Sequence, residues 1–259
     1  MITNLHTHTF RCRHASGTER EYIETAIAGG LKQLGFADHA PAVFFDSDRY
    51  SGHRMFPEQQ EDYVETLLAL REEYCGQIDI KIGYELEYYP KYFADFMKLL
   101  TRYPLDYLLL GQHFLGNEMD TRFYASQTDD PAVLNRFVDQ VIEAMDTGVF
   151  TYIAHPDLLR YTGEDQAVSD DAYTRLILAA KEHSLPLEIN LLGIRDNRLY
   201  PQERFFELCG QLGAPVCIGC DAHHANVTVD PASEAIAREW VTRYGCILVE
   251  DPVLVPVKF

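Results

Sequence analysis

The chain has 259 residues, 47% of them hydrophobic and 24% charged, the balance of a soluble protein with a sizeable core. Its 22 Lys and Arg against 40 Asp and Glu leave a net charge of −18, which excludes a broad basic nucleic-acid surface but not an anionic substrate met by metal ions and a few arginines. No apolar run is long enough to span a bilayer, no secretory leader pattern opens the chain, and Cys12, Cys75, Cys209, Cys217, Cys220 and Cys246 follow no disulfide or CxxC spacing. Free thiols and a cytoplasmic location are therefore expected.

The first predicted strand is ITNLHTH. Residues i and i+2 share one face of a strand, so His6 and His8 aim at one point, as two imidazole ligands of a metal ion do. Thr18 and Glu21 make a capping-box pattern ahead of the helix EYIETAIAGGL. QLGFADHA is the second strand and ends in His39; Pro57 then opens the helix PEQQEDYVETLLALREEY. IDIKIGYELEY brings Glu85 and LDYLLLGQHF brings His113. Asp130-Pro131 opens a helix that ends at Gly148, before FTYIAHPD with His155. A helix around DAYTRLILAAKEH precedes the sixth strand, LPLEINLL. Pro201 opens PQERFFELCGQL, closed by Gly213; APVCIGCDAHH then carries Asp221 and His223, and Asp230-Pro231 opens a last helix closed by Gly245.

Seven short apolar strands alternating with helices, with little polar alternation, predict an α/β fold. Its mostly parallel sheet is covered on both faces, either open and doubly wound or closed as a barrel. No linker or repeat marks a boundary, so residues 1–259 are expected to form one domain. Six of the seven strands end in His, Asp or Glu, on the rim where parallel α/β folds build active sites. With His14 from the first loop, the candidates are His6, His8, His14, His39, Glu85, His113, His155, Asp221 and His223. That is too many for one ion. Two to three ions of Zn, Mn or Fe sharing a carboxylate would use them, and such a cluster suits hydrolysis at phosphorus because it supplies a nucleophile near neutral pH and neutralises phosphoryl oxygens.

The motifs HTHT, CRHA, FADHAP, GYELEY, GQHF, AHPD and CDAHH, in this order from residue 2 to about 226, resemble the polymerase-and-histidinol-phosphatase (PHP) family. LEINLLGIR followed by YPQERFFELCGQLGAPVCIGCDAHH is similar to its monofunctional histidinol-phosphatase branch. The resemblance implies a distorted (β/α)7 barrel whose active site, at the C-terminal strand ends, holds three ions. One would be held by His6, His8, Glu85 and Asp221, a second by Glu85, His113 and His155, and a third by His14, His39 and His223. Glu85, Asp221 and His223 would position the attacking water, and the reaction implied is hydrolysis of L-histidinol phosphate in histidine biosynthesis. The alternatives are another small phosphomonoester or, less in keeping with an intact ligand set, a non-catalytic metal-binding module. Cys220 stands before Asp221 where the family usually has Ser or Gly, which removes no ligand.

Arginine matches phosphate by its planar fork. Arg160 and Arg195, five residues beyond His155 and Asn190, are expected over the rim and match arginines of the branch. Arg11, Arg13, Arg54 and Arg198 read as surface residues, His53 as a solvated loop residue with substrate contact as the alternative, and His224 as facing away, a supporting or surface residue. Cys12 and Cys220 read as packing off the ligand face, and Phe44 and Phe45 as aromatic residues over the barrel mouth. A small phosphomonoester is the expected partner, with neither nucleic acid nor membrane; the oligomeric state is not legible.

Overall fold

The computed structural model describes residues 1–41, 43, 52–118 and 126–258, so Phe44 and Phe45 lie outside the described residues. Its strands are β1 (Thr3–Asn4), β2 (Gln33–His39), β3 (Asp79–Leu86), β4 (Tyr107–Leu110), β5 (Gln127–Thr128), β6 (Tyr152–Ile153), β7 (Arg160–Tyr161), β8 (Leu187–Asn190), β9 (Pro215–Gly219) and β10 (Ile247–Leu248). Eight of them form one parallel sheet in the order β1-β2-β3-β4-β6-β8-β9-β10, and β5 with β7 makes a separate parallel ribbon.

Seven of the eight strands are the expected ones, and β10 is an addition beyond β9. The sheet closes at the rim rather than along its length. The His8 N–H donates to the Ala222 carbonyl at 2.9 Å, the Ala222 N–H to the His6 carbonyl at 3.2 Å, and the Ala37 N–H to the Thr7 carbonyl at 2.8 Å. The chain around Thr7 thus sits between the continuations of β2 and β9, an isolated Thr7–Ala222 bridge. β1 is only two residues long, so His6 and His8 lie past its end, at that closure.

Helices fill the intervals on the outside. Thr18 caps Glu19–Ala28 with its full capping box, Asp130 caps Pro131–Met145, and Gly213 and Gly245 end their helices with left-handed backbones, as their sequence signals predict. Helix Phe93–Leu100 was not anticipated: its N-cap position is Tyr92, which offers no capping bond, so no start signal marks it.

Strand alternation divides the core. Phe36, Ile80, Ile82, Leu108 and Leu110 pack outward among the helices in the main apolar cluster. Leu5, Ala37, Tyr107, Leu109, Tyr152, Ala154 and Cys217 form a second cluster, inside the curl of the sheet. Tyr107 donates to the Leu5 carbonyl at 2.6 Å, and Leu254 of the C-terminal tail packs on the same cluster. Each buried leucine, isoleucine or phenylalanine among them contributes roughly 1.5–3 kcal/mol. The interior is filled, which leaves the rim as the place for a site.

Candidate metal centre and active site

All nine candidate ligands meet at this rim, His14 following the 3-10 turn Phe10–Cys12 and the others lying at or just beyond strand ends. His6, His8, His39, Glu85, His155 and Asp221 are buried, His113 and His223 half-buried, and His14 exposed. His6 Nε2 lies 3.5 Å from Glu85 Oε2 and 3.6 Å from Asp221 Oδ1, and His8 Nε2 lies 3.5 and 3.1 Å from the same two oxygens. All four of these atoms are buried and none has a hydrogen-bond partner. Orphaned donors and acceptors at such depth cost roughly 1–3 kcal/mol each, which a shared cation relieves. His155 Nε2 lies 2.9 Å and His113 Nε2 3.7 Å from the other oxygen, Glu85 Oε1. His39 Nδ1 is 3.0 Å from Glu85 Oε2. His14 and His223 face each other, Nε2 to Nε2, at 2.9 Å, and ligand atoms of His8, His39 and His223 lie within 4.8 Å of one another. Glu85 therefore stands between the groups, one oxygen toward each side. The donor set of imidazoles and carboxylates fits Zn, Mn or Fe.

Backbone and space are adapted to this convergence. His155 and Asp221 hold φ of 30° and 46°, left-handed values that L residues adopt at a cost of roughly 1–3 kcal/mol when the surroundings enforce them. A Cβ on Gly111 would meet Glu85 Oε1 at 1.8 Å, and one on Gly219 would meet Glu188 Oε1 at 1.9 Å, so two bare glycines make room for two buried carboxylates.

Three carboxylates unnoticed in the sequence brace the histidines. Glu188 Oε1 is 2.8 Å from His6 Nδ1, Asp38 Oδ1 is 3.5 Å from His8 Nδ1, and Glu87 Oε1 is 3.5 Å from His113 Nδ1. His8 Nδ1 makes no hydrogen bond to Asp38, whereas a carboxylate hydrogen-bonded at Nδ1, as Glu188 is to His6, holds the proton there and leaves the Nε2 lone pair for a metal. His14 does the same with the Cys12 carbonyl, at 2.9 Å. A charged residue inside the apolar strand LPLEINLL was the available signal for Glu188; nothing local distinguished Asp38 or Glu87.

Electrostatics follow from the crowding. Burial pushes the Glu85 and Asp221 carboxyls up, but the facing histidines outweigh it and hold both well below the usual carboxylate range. Burial keeps His39 and His223 well below the usual imidazole range, so they stay neutral with lone pairs available.

A cavity of about 270 Å³ opens above the ligands, lined also by His53, Arg54, Phe114, Arg195, Asp196, Arg198, Tyr200 and His224. Arg195 ends the one-turn helix Leu191–Arg195 and pairs with Asp230 at 2.9 Å. Arg160 lies on β7 and lines a neighbouring cavity, with Arg198 common to both. Two surface readings are corrected. Arg11 is buried against Glu19 and Asp62, and Arg54 against Glu87 and Glu118. The acidic partners of Arg11 and Arg54 come from other segments, which periodicity does not reveal. Arg198 is exposed, as expected, at the cavity edge, its Nη1 donating to the Tyr200 hydroxyl at 3.1 Å. His224 is exposed, as a surface residue is, with its Nδ1 2.8 Å from the Ser16 hydroxyl, and it also borders the cavity. Cys12 sits in a 3-10 turn, where strand alternation does not apply, and its sulfur is within 4.8 Å of ligand atoms of His14 and His223. Cys220 does pack away from the site, against the Thr228 carbonyl.

The family model of the PHP domain matches residues 4–192 of the chain. The chain belongs to the PHP family. Among curated PHP relatives, a probable histidinol-phosphatase of Deinococcus radiodurans is 31% identical over 229 residues, covering 86% of each chain. The histidinol-phosphatase of Bacillus subtilis is 24% identical over 250 residues, covering 85% of this chain and 92% of its own. In architecture, the chain is similar to the crystal structure of histidinol phosphate phosphatase from Lactococcus lactis, complexed with zinc, L-histidinol and phosphate. The TM-score is 0.73 with 20% identity and 95% of both chains covered.

Proposed function

We propose that this chain is a metal-dependent histidinol-phosphatase, hydrolysing L-histidinol phosphate to L-histidinol and phosphate in histidine biosynthesis. The observation that carries the reading is the set of buried, unpartnered ligand atoms of His6, His8, Glu85 and Asp221 at the floor of a cavity walled by arginines. The histidinol-phosphatase relatives give the substrate. Two to three divalent ions, when bound by the nine ligands, activate water near neutral pH and neutralise charge on the phosphoryl group. The chain's own residues do the rest. Glu85 and Asp221 keep their charge in the buried floor, and His223 turns its Nε2 toward His14 at the rim. Arg195 and Arg198 line the wall, and Arg160 stands just beyond Arg198; these guanidiniums hold phosphoryl oxygens in their planar forks. Phe114 and Tyr200 offer faces on which an imidazole stacks, and Asp196 a carboxylate for a cationic amine. The cavity suits a small ligand, and the net charge of −18 disfavours a nucleic-acid chain. The six free thiols suit a reducing compartment, and we place the enzyme in the cytoplasm. Among the described residues no helix is long and apolar enough to cross a membrane.

A phosphate-release panel tests the substrate. Histidinol phosphate is expected to exceed p-nitrophenyl phosphate, AMP and glucose 6-phosphate by at least about a hundredfold in kcat/KM, roughly 2.7 kcal/mol of transition-state discrimination. Comparable rates on all four would keep a phosphatase and remove the histidine-pathway assignment. No release from any, with metals loaded, would favour the non-catalytic module.

A further inference from the structure

Glu87 lies two residues beyond Glu85 and is 2% exposed, yet it points to no shared ligand position. Its Oε2 accepts the backbone N–H of His113 at 3.0 Å and of Phe114 at 2.9 Å, while Oε1 faces His113 Nδ1. Arg54, equally buried, pairs with Glu87 Oε1 through Nη2 and also reaches the Tyr89 hydroxyl at 3.0 Å and Glu118 Oε2 at 3.2 Å. One carboxylate thus fixes both the main chain and the ring of a single ligand, and a buried guanidinium from a different loop fixes the carboxylate. His6 has its own brace, Glu188, and the carboxylate nearest His8 Nδ1 is Asp38, so neither histidine pairs with Glu87.

We propose that Glu87, held by Arg54, is the positioning residue of one metal position alone, the one built from Glu85, His113 and His155. This rests on the reading of the site as a multinuclear cluster. The physical reason is directional. His113 Nε2 already stands 3.7 Å from Glu85 Oε1, farther than His155 at 2.9 Å, so its approach depends on the hold at its back. Without a charged acceptor at Nδ1, the ring is free to carry its proton on Nε2 and to rotate, and losing such a brace lowers metal affinity by about 10- to 100-fold.

The test reads metal, not turnover. Wild-type protein, Glu87→Gln and Arg54→Met are loaded with Zn(II), challenged with graded EDTA, and analysed for zinc per chain, with a thermal melt of each metal-free form. The expected result is one ion lost from Glu87→Gln at about 10- to 100-fold lower chelator, the remaining ions leaving as in wild type, and a smaller shift of the same ion in Arg54→Met. Glu87→Asp, which keeps the charge, should restore part of the affinity. If Glu87→Gln does not fold, Arg54→Met and Glu87→Asp are judged by the same criterion. Unchanged release of every ion overturns the proposal, as does parallel loss of all ions, which would make Glu87 general scaffolding. Wild-type protein holding fewer than two ions would overturn the cluster reading itself, and this proposal with it.

Discussion

At the scale of single residues, the site separates side chains that hold metal from those that hold phosphate. Arg195 and Arg198 touch none of the ligand atoms through a hydrogen bond; they are tied to Asp230 and Tyr200. Arg160→Ala, Arg195→Ala and Arg198→Ala are therefore expected to retain their metal and to fall roughly 10²-fold in kcat/KM, the order for removing one charge-stabilising donor. Elemental analysis beside steady-state kinetics checks this. Normal kinetics in all three would move the phosphate grip onto the ions. The convergence of the nine ligand candidates was legible because HxH spacing and strand-end position are local properties. Glu188, Asp38, Glu87 and the burial of Arg54 were not, because a brace is defined by a partner far along the chain. Arg54 and Glu87, for example, are 33 residues apart.

At the scale of elements, the end of β8 shows how secondary structure is used to place charge. Asn190 leaves the strand and caps Leu191–Arg195, its Oδ1 accepting the Gly193 N–H at 3.0 Å. Its Nδ2 donates to Glu188 Oε2 at 2.9 Å and to Asp221 Oδ2 at 3.1 Å, so one amide joins the helix start to two buried carboxylates. Asn190→Ala removes a cap of about 1 kcal/mol and takes the amide from buried Asp221 Oδ2 at roughly 1–3 kcal/mol, while Glu188 Oε2 keeps the His155 N–H. A loss of about 2–4 kcal/mol in urea unfolding is expected, whereas a loss below about 1 kcal/mol would mean that water replaces the amide. Strands and capped helices were readable from runs and caps. Helix Phe93–Leu100 was not, since Tyr92 gives no cap, and neither was β10, which is two residues long and pairs only at the outer edge of β9.

At the scale of the whole molecule, a filled interior and a rim closed around Thr7 and Ala222 gather the strand ends and hold His155 and Asp221 in left-handed backbone conformations against their strain. A parallel (β/α) arrangement followed from the alternation of elements; the closure at the rim did not, because β1 is too short to announce its pairing. The central claim is that these strand ends hold one multinuclear cluster centred on Glu85. Anomalous diffraction from crystals of gently purified protein tests it most directly, since it counts the ions and places them. The account predicts two to three peaks of Zn, Mn or Fe, the first among His6, His8, Glu85 and Asp221, the second between Glu85, His113 and His155, and any third beside His14, His39 and His223. At least two of these peaks should vanish together in Glu85→Ala. A single peak, or peaks indifferent to that substitution, would contradict it.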